Sequence, residues 1–60
     1  MTTLRLIDPN GYTVPGSVIT ASDGAIDETR AYLTGTLAAQ HAADWADFGY
    51  DPRNYTIQDS

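Results

Sequence analysis

The chain has 60 residues with no cysteine, no lysine and one histidine; three arginines face eight acidic residues, for a formal charge of −5. So short a chain buries only about 60% of the surface its unfolded form exposes. Without disulfides or thiolate metal sites to staple it, a second chain is the expected supplement, whether another copy (a homodimer being simplest) or a larger protein. Neutralising phosphates takes Lys/Arg clusters, so direct nucleic-acid binding is excluded, and the acidic surface favours a protein partner with a basic face. No segment approaches the roughly 20 apolar residues of a membrane span, and no basic stretch followed by an apolar run opens the chain. The expected location is therefore the cytoplasm.

Residues 3–7, TLRLI, set Leu4 and Leu6 on one side and Thr3, Arg5 and Ile7 on the other, the alternation of a strand. In DPNG, Pro9 fixes φ for a turn, and Asn10-Gly11 offers the positive φ values of a tight hairpin. YTV and SVIT read as a second strand broken by Pro15-Gly16, which marks a bulge or a bend at an edge. A β-hairpin over about residues 3–20 is predicted.

A helix follows. Ser22 or Asp23 is its N-cap, with Asp27 and Glu28 near its positive end; the pattern runs to about Phe48, where Gly49 suits C′ and Pro52 prevents continuation. NYTIQ at 54–58 alternates again and reads as a final strand. The order ββαβ predicts one small α+β domain over 1–60, a mainly antiparallel three-stranded sheet with a single long helix across one face. A helix over 24–48 would span about 37 Å, against about 17–20 Å for a typical strand. It must either break near Gly35 or overhang its sheet.

Projected at 3.6 residues per turn, the helix shows two stripes. Ile26, Leu33, Leu37 and Phe48 form a large apolar one, with His41 and Trp45 at its edge. Ala31, Gly35, Ala38, Ala42 and Ala46 form a small one. The large stripe is expected to cover the sheet. The small one is expected to admit a second helix, most simply across a two-fold axis.

Chemistry-bearing candidates are few. His41 is the one candidate general base, with Asp44 near it, but no nucleophile motif accompanies it, and a two-layer domain of this size is expected to lack a substrate cavity. No enzyme activity, cofactor or metal site is expected. DPNG lacks the ligand pattern of a calcium loop. Asp44, Asp47 and Asp51 punctuate Trp45, Phe48 and Tyr50, and aromatic anchors ringed by charge are the composition of a protein-binding hot spot. Phe48 is expected in a core corner on Tyr55 and Ile57; Trp45 and Tyr50 are expected at the interface. A small acidic chain of this kind suits a stoichiometric inhibitor or regulator, including the phage-encoded kind that blocks host enzymes or defence systems. The alternatives are an accessory subunit of a virion or other assembly, and an acidic mimic of DNA. The mimic requires a phosphate-like row of carboxylates that the spacing does not supply.

Overall fold

Alternating Leu4 and Leu6 make β1 (Thr2–Ile7) the buried centre of a three-stranded sheet, in the computed structural model that describes residues 1–59. β2 (Ile19–Ala21) and β3 (Thr56–Asp59) flank it, both antiparallel, in the order β2-β1-β3. The register pairs Leu4 with Ile19 and Leu6 with Ile57, so the apolar side chains share the face beneath the helix. Thr3, Arg5 and Ile7 take the opposite face, opposite Thr20, Gln58 and Thr56. The α+β architecture and the ββαβ order stand as predicted.

The hairpin is looser than its sequence suggests. Only Thr2–Leu4 pairs with β2, and residues 8–18 form a loop that makes one isolated β-bridge to β1, Ile7 to Thr13. Two turns cause this. In the first, the Gly11 amide donates to the Asp8 carbonyl at 3.0 Å, and Gly11 alone takes positive φ (91°), so Asn10 does not supply the second value expected of it. In the second, the Ser17 amide donates to the Val14 carbonyl and Gly16 sits at φ 78°, as a Pro-Gly turn requires. Ser17 is fully buried and stands in for strand pairing: its Oγ accepts from the Leu6 amide at 3.1 Å and donates to the Val14 carbonyl at 2.6 Å. Without it a buried amide of the central strand would lose its partner.

The helix continues through Gly35 for 22 residues, but not as a uniform α-helix. A 3₁₀ turn (Asp23–Ala25) leads into α1 (Ile26–Ala31), a π-helical segment follows (Tyr32–Leu37), and α2 (Ala38–Asp44) completes it. Ser22 holds the extended N-cap backbone, though its hydroxyl makes no capping bond. Within the π segment the ladder widens, the Ala38 amide donating to the Leu33 carbonyl five residues back. Thr34, Gly35 and Thr36 lie there, all weak helix formers, so widening is least costly at that point. Thr34 Oγ1 also donates to the Arg30 carbonyl at 2.8 Å, a side-chain bond that competes with the α ladder.

One residue inserted into a turn rotates everything beyond it by about 100°. The face that begins with Leu33 therefore continues to Ala38 and Ala42, not to Leu37. Leu33, Ala38 and Ala42 are buried with Leu4, Leu6, Val14 and Tyr55, while Leu37 is only half-buried. The overhang is covered by the chain itself: Val14 of the 8–18 loop and Tyr55, just before β3, pack against the helix beyond the sheet. α2 ends earlier than predicted, at Asp44; a 3₁₀ turn (Ala46–Phe48) then stops at Gly49, which takes the left-handed φ of 81°. Asp51 caps the turn Pro52–Asn54 through the Arg53 amide, and the final strand begins at Thr56 rather than 54. The Arg53 guanidinium and amide hold the Asp51 carboxyl down to about 2. No helix among the described residues is long and apolar enough to cross a membrane.

Candidate functional site: an aromatic cleft at the helix end

α2, the 8–15 stretch of the loop and Tyr50 enclose an open cleft of about 480 Å³. It is lined by Asp8, Tyr12, Thr13, Pro15, His41, Trp45 and Tyr50. The expectation that so thin a domain has no cavity is thus corrected. A two-layer core alone lacks the depth, but a helix longer than its sheet meets a loop beyond the sheet edge and leaves a hollow between them.

The rings form a continuous set. His41 stands edge-on to Tyr55 (centroids 5.6 Å apart) and lies 6.0 Å from Tyr50 and 6.1 Å from Trp45. Trp45 stacks on Tyr50 at 5.7 Å and meets Phe48 at 5.4 Å. These separations lie in the range where ring quadrupoles attract. His41 Nδ1 is hydrogen-bonded to the Tyr55 hydroxyl, so His41 is engaged with Tyr55 and not with Asp44 as the sequence allowed. Asn10 Nδ2 donates to the Tyr50 hydroxyl at 2.7 Å and ties the first turn to this cluster. Asp8 Oδ1 accepts from the amides of Asn10 and Tyr12, both at 2.9 Å, which fixes the loop that forms the far wall.

Burial first, then the negative charge of Asp8 and the neighbouring Tyr50, push the Tyr55 hydroxyl above its ordinary value of 10.0. A raised native value means that the unfolded chain ionises first. Tyr55 therefore contributes full stability below about pH 10 and loses it as pH rises through the native value. In urea melts taken across that alkaline range, Tyr55→Phe is expected to fall less steeply than wild type. Equal slopes would show that Tyr55 ionises as it does in the unfolded chain.

The residues expected at an interface divide into two groups. Trp45 (43% exposed), Asp44 and Asp47 are exposed and Tyr50 is half-buried, all at the cleft end. Phe48, expected in the core, is 72% exposed: the early end of α2 carries it away from Tyr55 and Ile57, and it packs on Trp45 alone among the rings. The small stripe does not survive as one surface. Ala38 and Ala42 lie inside the core, while Ala31, Gly35 and Ala46 remain exposed, because the π segment puts residues before and after it on different faces. A helix–helix dimer through that stripe therefore has no continuous surface to use.

Gly35 itself is open, and a Cβ built there meets nothing within 4 Å. Gly35→Ala is expected to raise stability by about 0.5–1 kcal/mol, the ordinary helix-propensity gain. A loss, read in the same denaturation assay, would mean that the bare backbone is needed.

Asp8, Tyr12 and Pro15 were not anticipated at the site. DPNG and Pro15-Gly16 read as turn chemistry, and only the fold brings those turns against the helix end. Small size, two layers and a cleft of aromatic rings with one carboxylate in its wall together define a compact α+β scaffold with an open aromatic cleft at one end. Comparison with protein-family models, curated proteins and solved structures finds no match.

Proposed function

We propose that this chain is a non-catalytic interaction module that docks through its aromatic end on a larger protein and acts there as a stoichiometric inhibitor or regulator. The observation that carries the reading is the exposure of Trp45, Phe48 and Tyr12 together at one end, around an open cleft, with Asp44 and Asp47 exposed beside them. Large rings left in water on so small a chain suit the anchors of a partner interface, and their acidic surroundings suit a basic counterpart. His41 fits a structural role better than a catalytic one, since Tyr55 occupies its Nδ1 and rings surround it.

The test is parallel affinity capture from the native host with wild type and Trp45→Ser, followed by rate measurements on the purified partner. A partner bound by wild type and lost with the variant is expected, with association slowing as salt rises. Capture unaffected by Trp45→Ser would move the docking site elsewhere. A capsid or tail protein as partner would favour an accessory subunit over an inhibitor.

A further inference from the structure

We propose that the cleft between the 8–15 loop and α2 binds an arginine side chain, its guanidinium lying on the aromatic wall and paired with Asp8. This rests on the docking reading above and names what the partner inserts. The walls are Tyr12, His41, Trp45 and Tyr50, with Asp8 as the carboxylate among them. Asp8 Oδ1 is occupied by two backbone amides, and none of the ion pairs among the described residues involves Asp8. Asp8 thus lines the cleft with no cation paired to it among the described residues. The field is felt within the protein, since the same charge helps to raise the ionisation of Tyr55.

A cation answers both features at once. Ring faces attract positive charge, most strongly at tryptophan, and a carboxylate supplies the charge-assisted hydrogen bond. Guanidinium fits better than ammonium for two reasons. It is planar and stacks on rings, and it is more weakly hydrated, so it leaves water more readily for an apolar wall. The overall charge of −5 also draws cationic groups towards the protein.

Trp45 is the only tryptophan of the chain and stands in the cleft wall, so its fluorescence reports occupancy directly. The intact protein is titrated with N-acetylargininamide, with the neutral isostere N-acetylcitrullinamide, and with a trimethyllysine amide. A saturable change with the arginine probe is expected, weaker by about tenfold or more with citrulline, the step that loss of a charge-assisted contact gives. Asp8→Asn keeps the Oδ1 acceptor for both amides and removes the charge, and should weaken arginine binding to a similar degree. If that loop is disturbed, Tyr12→Leu tests the aromatic wall, because Tyr12 is largely exposed and its loss leaves the core intact. Equal response to citrulline, or binding insensitive to both variants, overturns the assignment; tighter binding of trimethyllysine gives the cleft to quaternary ammonium instead. If the probes fail while Trp45-dependent capture persists, the guanidinium assignment falls and the docking reading stands. If the probes bind while capture ignores Trp45, the docking reading falls.

Discussion

Replacing Leu33 by Ala is expected to remove about 2–5 kcal/mol, the range for truncating a fully buried leucine. For a domain of this length total stability is about 3–9 kcal/mol, so the loss takes a large share of it and should show as a clearly lower melting temperature and urea midpoint. The reason is position: Leu33 has no exposed surface and packs with Leu4 and Leu6 of β1 and with Ala38 and Ala42 further along its own helix. Leu37, one turn on, is the control. A uniform α-helix would bury the two leucines equally, but the π segment leaves Leu37 half-buried. Leu37→Ala should therefore cost clearly less in urea or thermal melts. Equal losses at the two positions would argue for an unbroken 3.6-residue repeat in solution.

Ala42→Leu is expected to destabilise the protein by about 1–3 kcal/mol, through overpacking of a filled core. Ala42 is 3% exposed among Val14, Leu33, Ala38 and Tyr55, so three added carbons must displace the loop or the ring. Ala39→Leu, on the exposed side of the same helix, should stay within about 0.5 kcal/mol of wild type. The Ala42→Leu loss should also be the same at every protein concentration. A loss that grows on dilution, with dissociation seen by light scattering, would instead assign Ala42 to contact with a second copy. The two outcomes separate a residue that fills its own core from one that meets a partner.

The elements of this protein are legible in its residues because each depends on short-range chemistry. Leu4 and Leu6 alternate with Thr3 and Arg5 and make the central strand; Gly11 and Gly16 supply the left-handed turns; Gly49 closes the 3₁₀ turn that follows α2. The aromatic and acidic character of the helix end is equally local, which is why Trp45, Tyr50, Asp44 and Asp47 stand out before any fold is known. What tertiary structure decided is the phase of the helix. Thr34, Gly35 and Thr36 weaken the α ladder, but only packing against Val14, Tyr55 and the sheet selects the widened turn that carries Ala38 and Ala42 inward. The cleft has the same origin. Asp8 and Trp45 lie 37 positions apart, and no periodicity relates them. They share a wall because a helix longer than its sheet must be covered by something, and the nearest available chain is the loop that follows β1.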